Sequence, residues 1–198
     1  KNYLLVNVAI VLIIGGTGYW YFALKKAPQG PETPEVPEKP EIVTLTDPRG
    51  GIVMTMDPAE SYSVPTHGVL TPVYETLLRY HPENTSRLIP CLAESWEVSD
   101  DGLSYIFHLR KNVTYTDGTP FNASCVIFSF NRTLSLNMGP AWEISAIDID
   151  KSSVIDTYTV NITLSYPYAP FIYALAAQWG PLIVNPSYVL AHATPDDP

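Results

Sequence analysis

Residues 90–133, PCLAESWEVSDDGLSYIFHLRKNVTYTDGTPFNASCVIFSFNRT, constrain the fold more than any other stretch of this chain. Trp96 and Val98 alternate with polar neighbours, and Leu103, Tyr105, Phe107 and Leu109 alternate with Ser104, Ile106, His108 and Arg110. That is the two-residue period of a pleated strand. Ser99-Asp100-Asp101-Gly102 lies between the runs and supplies the turn, so a hairpin is predicted. A second turn at Asp117-Gly118 leads to Asn122, which reads as the N-cap of a helix running to about Leu136, with Val126, Ile127 and Phe130 facing the core. Asp100 and Asp101 resemble a pair of catalytic carboxylates, but before a turn glycine aspartate serves to cap backbone N–H groups. Trp96 and Tyr105 sit in register with other apolar residues and read as core.

The rest of the chain divides by composition. Residues 3–24 carry no charged side chain, and at about 1.5 Å per helical residue such a run covers the roughly 30 Å hydrocarbon layer of a membrane. With Tyr19, Trp20, Tyr21 and Phe22 as an interfacial belt before Lys25 and Lys26, residues 1–26 read as an uncleaved anchor helix rather than a signal peptide. The two lysines conflict with the positive-inside rule if everything downstream is extracellular. Residues 27–41 repeat proline among glutamates and read as a stalk, about 40 to 50 Å long if it holds the polyproline conformation. The domain boundary is expected near Glu41, with a domain of mixed α and β elements over 42–198.

Within that domain Ile42–Thr46 and Ile52–Met56 read as strands around a turn at 47–51. Ser63 or Thr66 caps a helix whose face carries Val69, Val73, Leu77 and Tyr80, stopped by His81-Pro82. A second hairpin is expected over 146–165, with Ile147 and Ile149 on one strand and Tyr158, Val160, Ile162 and Leu164 on the other. An apolar helix over 168–179, a buried strand at Leu182-Ile183-Val184 and a helix over 186–192 follow, the last with Pro186 in its first turn. The elements do not alternate strictly, which argues against a simple parallel doubly wound sheet.

Composition narrows the function. A net charge of −9 with only 11 lysines and arginines disfavours nucleic-acid binding, which needs basic surface to displace counterions. Five Asn-x-Ser/Thr triplets occur, at Asn84, Asn112, Asn122, Asn131 and Asn161, against roughly one or two expected by chance, and point to an exported glycoprotein. Asn84, Asn112 and Asn161 read as the better acceptors, since Asn122 and Asn131 fall in or beside a helix. Cys91 and Cys125 are the only cysteines, and outside the cell such a pair reads as a disulfide worth about 3 to 4 kcal/mol. There is no GxSxG, HExxH or phosphate-binding glycine loop, and His67, His81, His108 and His192 are scattered, so neither an enzyme nor a cofactor is implied.

VYETLLRY (73–80), LIPCLAESWEVSDDGLSYIFHLRKNVTYTDGTPFNASCVIFSFNR (88–132) and VIDTYTVNITLSYPYAPFIYAL (154–175) resemble, in order and spacing, the N-terminal portion of the family 5 solute-binding proteins of ABC transporters. These include oligopeptide-, dipeptide- and nickel-binding proteins. The resemblance covers about residues 42–198 and departs at Ser124-Cys125, where the family usually has an acidic pair. It implies the N-terminal part of a type II periplasmic-binding-protein fold, comprising the first lobe and a small extra domain, in a chain that is either a piece of a longer receptor or a shortened homologue. It further implies an oligopeptide or oligosaccharide ligand, hinge closure and docking on an ABC permease. By the same resemblance, Asp57, Tyr62, Ser63 and the loop 137–142, with Trp142, approach the ligand. Anchor, stalk and sequons together resemble archaeal receptors. The competing expectation is a cell-surface or filament subunit that self-assembles through the N-terminal helix, which Lys1 directly before an apolar run keeps open.

Overall fold

The computed structural model describes residue 53, residues 55–177 and residues 179–194. All belong to the second of the two units into which the chain divides, Asp47–Pro198. The expected membrane helix, the stalk, the strand at 42–46 and the turn at 47–51 lie outside the described residues. Among the described residues no helix is long and apolar enough to cross a membrane.

The first described helix, α1 (Val64–Leu70), begins after Ser63 and ends well before the expected Tyr80. Pro72 is the reason. It has no N–H to continue the ladder and disfavours helical backbone at the residue before it, so the chain closes with Val73 and Tyr74 N–H groups on the Leu70 carbonyl. Val73, expected on the buried face, is 68% exposed. Residues expected at the helix end instead form β1 (Leu78–His81), paired antiparallel with β2 (Asn84–Pro90). Of the expected strand at 52–56, the described residues carry no strand.

The hairpin at the centre of the sequence forms as its alternation requires. β3 (Ala93–Val98) pairs with β4 (Ser104–Leu109), with Trp96 opposite Phe107 and Val98 opposite Tyr105. In the turn, Gly102 takes φ +68°, the left-handed region that glycine enters without strain. Asp101 accepts hydrogen bonds from the Leu103 N–H and the Ser99 hydroxyl, a capping role rather than a catalytic one. Tyr105, Phe107 and Leu109 are buried while their neighbours are half-buried, as a one-sided strand demands.

α2 (Ala123–Leu136) starts where expected. The Asn122 side chain accepts the Ser124 N–H at 2.9 Å, and Asn137 ends the helix in the left-handed conformation. Cys125, Val126, Ser129, Phe130 and Thr133 form its buried stripe. A 3-10 segment, Gly139–Ile144, follows.

β5 (Ser153–Asp156) and β6 (Thr159–Thr163) make the second hairpin, completing an antiparallel sheet of order β3-β4-β6-β5. Its first strand is not the one expected. The Asp148 carbonyl accepts the N–H groups of Lys151 and Ser152, winding that stretch into a turn, and Ile147 keeps only a single bridge to Leu164. The alternation of Ile147 and Ile149 is instead spent on core packing.

One face of the sheet joins α2 in a core built on Tyr105, Phe107, Phe121, Val126, Phe130, Val160, Ile162 and Phe171. Each fully buried Phe contributes roughly 1.5 to 3 kcal/mol of apolar transfer. The expected helix over 168–179 shrinks to α3 (Phe171–Ala174). Leu182, Ile183 and Val184 are buried but form no strand. Val184 N–H donates to Ser129 Oγ at 3.1 Å and its carbonyl accepts the Tyr115 hydroxyl at 2.8 Å, so side chains replace the ladder. α4 (Pro186–His192) follows, capped by Asn185.

Candidate functional site

Two of the residues expected to touch ligand meet. Tyr62 lies just before α1 and Trp142 in the 3-10 segment, and their rings contact edge to face with centroids 6.0 Å apart. Trp179 stands 4.9 Å from Tyr62, and the His67 ring packs 4.3 Å from Trp179. Gly139 makes this approach possible. A Cβ there would come within 2.6 Å of the Glu60 carbonyl oxygen and the Tyr62 Cβ. Tyr62 and Trp142 are 44% and 59% exposed, so the cluster offers solvent an aromatic surface of the kind that packs on apolar side chains or sugar rings.

Polar atoms of the same segments are under-satisfied. His67 is fully buried, its Nε2 3.1 Å from the Ser61 carbonyl oxygen, while its Nδ1, the Ser61 hydroxyl and Glu143 Oε2 are buried without a hydrogen-bond partner. Burial pushes the Glu143 carboxyl up, and a hydrogen bond from Tyr62 draws it partly back.

Ser63 and Asp57 are engaged differently. Ser63 occupies the N-cap position of α1 with its hydroxyl on Thr66 Oγ1 at 2.9 Å. Asp57 is held by Arg132 of α2, with Nη1 2.8 Å from Oδ1 and Nη2 on Oδ2, and it accepts the Ala59 N–H. This pair lines a cavity of about 600 Å³ together with Tyr74, Tyr115 and Tyr188. Burial is the main cause that pushes the Tyr74 and Tyr115 phenols up, the Asp57 charge adding to it for Tyr74 and a hydrogen bond with Cys125 for Tyr115.

The disulfide expected between Cys91 and Cys125 is not formed; both are buried free thiols. Each has its own acceptor on a different element: Cys91 Sγ donates to Glu75 and Cys125 Sγ to Asn122, both at 3.6 Å. Burial, then the Glu75 charge, pushes the Cys91 thiol up, which favours the unreactive form. Of the sequon asparagines, Asn84, Asn112 and Asn131 are exposed. Asn122 spends its side-chain oxygen on the α2 cap. Asn161 is committed within β6, accepting from Ser104 at 2.6 Å and donating to Thr163 at 3.2 Å. Among the described residues no group of three or more His, Cys, Asp and Glu side chains is placed to hold a metal ion.

Comparison with known proteins places this geometry. Residues 87–196 match the profile of the bacterial extracellular solute-binding proteins, family 5 Middle. The chain belongs to this family. It is 38% identical over 145 residues to the probable D,D-dipeptide-binding periplasmic protein DdpA of Escherichia coli K12, covering 72% of this chain and 28% of that protein. It is 34% identical over 131 residues to the glutathione-binding protein GsiB of the same strain, covering 64% and 24%. Among solved structures, the periplasmic binding protein DppA of Helicobacter pylori in complex with the peptide STSA aligns with TM-score 0.60 at 30% identity, over 69% of this chain and 30% of that one. NikZ of Campylobacter jejuni in complex with Ni(L-His) aligns with TM-score 0.60 at 30% identity, over 72% and 27%. The chain thus spans under a third of the length of these relatives. Its mixed α and β architecture is part of the type II periplasmic-binding-protein fold they share.

Sequence reasoning missed Trp179, His67 and Glu143. Trp179 closes the expected helix over 168–179, which ends earlier in the structure, and His67 and Glu143 carry no motif. Only the fold brings residues 61–67, 142–143 and 179 together.

Proposed function

We propose that this chain is the N-terminal part of the ligand-capturing receptor of an ABC importer, taking oligopeptides at the surface formed by Tyr62, Trp142 and Trp179. The observation that carries it is the exposed aromatic cluster on a family 5 scaffold. Peptide ligands of family members named above support the choice of substrate, and the same rings suit oligosaccharides as a second ligand class. Residues 3–24 anchor the receptor in the cell membrane as a single pass, and the stalk of residues 27–41 holds the domain outside, as in archaeal receptors. The exposed Asn84 and Asn112 carry glycans. The receptor hands its ligand to a membrane permease after closing around it.

Binding calorimetry on the full-length protein with peptide and oligosaccharide pools tests this. Heat is expected from the peptide pool, and Trp142→Ala is expected to weaken binding roughly tenfold, as truncation of an aromatic anchor does. Heat from neither pool would overturn the receptor reading in favour of a surface subunit assembled through its N-terminal helix.

A further inference from the structure

We infer that Asn131 carries an N-linked glycan whose first sugars lie in the apolar groove between α2 and α4. The inference does not depend on the ligand proposed above.

The groove has a volume of about 440 Å³, and Phe128, Leu136, Val189 and Leu190 supply its apolar walls. Leu190 is 68% exposed, and α4 buries none of its residues. An open apolar surface of this kind marks a place that something else covers. Asn131 stands on the same wall. Phe128, Asn131 and Ser135 are spaced by three and four residues, so they share one face of α2, and all three line the groove. An asparagine in a helix interior does nothing for the helix, because its side chain competes with the backbone for hydrogen bonds. Here it opens the triplet Asn131-Arg132-Thr133, an acceptor sequence for N-glycosylation.

The asparagine side chains rank the sequons differently from their sequence context. Asn122 holds the α2 cap, and the Asn161 amide nitrogen donates to Thr163 within the sheet. Asn131 is exposed and accepts the Ser135 hydroxyl at 3.4 Å through its oxygen. Among the described residues its amide nitrogen, the atom that takes the sugar, has no hydrogen-bond partner. In the transfer that nitrogen bonds to the anomeric carbon of an oligosaccharide carried on a lipid phosphate. The C–O bond to the phosphate breaks, the lipid phosphate leaves with the bonding pair, and the nitrogen gives up one proton. Thr133, the third residue of the triplet, is 2% exposed, so the transfer precedes closure of α2 onto the core. A pyranose ring has an apolar C–H face and a rim of hydroxyls. Seated in the groove it covers Phe128 and Leu190 and leaves its hydroxyls in water.

The test is glycopeptide mass spectrometry on the full-length protein purified from its own cells, together with the fluorescence of a dye that binds apolar surface, on wild type, Asn131→Gln and Asn84→Gln. The wild-type peptide holding Asn131 is expected to carry the mass of a glycan, and Asn131→Gln to lose it. Dye fluorescence is expected to rise in Asn131→Gln and to stay at the wild-type level in Asn84→Gln, since Asn84 does not line the groove. An unmodified Asn131 overturns the inference. A glycan on Asn131 with no change of fluorescence in Asn131→Gln overturns its seat in the groove. Wild-type dimers that Leu190→Ser dissolves assign the groove to a second copy and overturn that seat as well. Thermal unfolding of each variant accompanies the measurements, and Asn131→Ala, a stronger helix former, replaces a Gln variant that does not fold.

Discussion

Arg132 grips Asp57 with both terminal nitrogens across 75 residues of sequence, in a setting where the two side chains are only 11% and 21% exposed. The planar guanidinium fork matches a carboxylate in two places at once, which a lysine ammonium cannot do. A pair this sheltered contributes little net stability beyond an apolar substitute, yet removing one member takes a matched charge from the other in a poorly hydrated setting. Asp57→Ala is therefore expected to cost about 3 kcal/mol, read as a shift of the urea midpoint. Arg132→Met alone should cost a similar amount, and the double variant Asp57→Ala/Arg132→Met less than the sum of the two, because the interaction they share is lost only once. A strictly additive double variant would show that the two residues act apart. Asp57 was singled out by family resemblance, and no local pattern in the sequence points to Arg132 as its partner.

Among the elements, α2 depends most visibly on a single side chain. Asn122 places its oxygen on the Ser124 N–H and the Cys125 thiol, satisfying groups that the first helical turn leaves open. Asn122→Ala is expected to lose about 1 kcal/mol in chemical denaturation, and Asn122→Asp to retain most of it. Equal losses in both variants would count against the cap. This helix and the β3–β4 hairpin were legible because two signals agreed, the periodicity of the apolar residues and the chemistry of the turn or cap. Where one signal stood alone the reading failed. Val69, Val73, Leu77 and Tyr80 satisfy helical spacing, but Pro72 interrupts it, and Leu77 and Leu78 find full burial at the start of β1 instead. β2 was invisible, since Asn84–Pro90 begins with four exposed polar residues and shows no alternation. The aromatic cluster was legible only at Tyr62 and Trp142, because its other members depend on contacts between segments far apart in sequence.

At the scale of the molecule, titrating groups oppose one another. Asp117, held low mainly by the Thr119 backbone N–H, and Asp101, held low mainly by the Ser99 hydroxyl, have folded pKa values below their unfolded ones. Their contribution is present above the unfolded carboxylate range and is lost as pH falls through the folded values. Glu143 has the opposite sign. Burial raises its folded pKa, so the folded state binds the proton more strongly, and stability falls as pH rises from the unfolded value, about 4.3, through the folded one. Glu143→Gln is thus expected to be more stable than wild type at pH 7 and to lose that advantage by about pH 3.5, where the wild-type carboxyl is protonated. Urea midpoints at the two pH values check this, and an advantage that does not depend on pH would refute it. The hold on Val184 has a different kind of consequence. Its two backbone groups are taken by the Ser129 and Tyr115 side chains, so this hold does not depend on which side chain stands at 184, and the burden of inheritance falls on the two residues that do the holding. Sequence drift is therefore expected to be limited at 184 only to apolar residues of fitting volume, and to be restricted to hydroxyl-bearing residues at 115 and 129, where losing a hydroxyl leaves a buried backbone group of another residue without a partner.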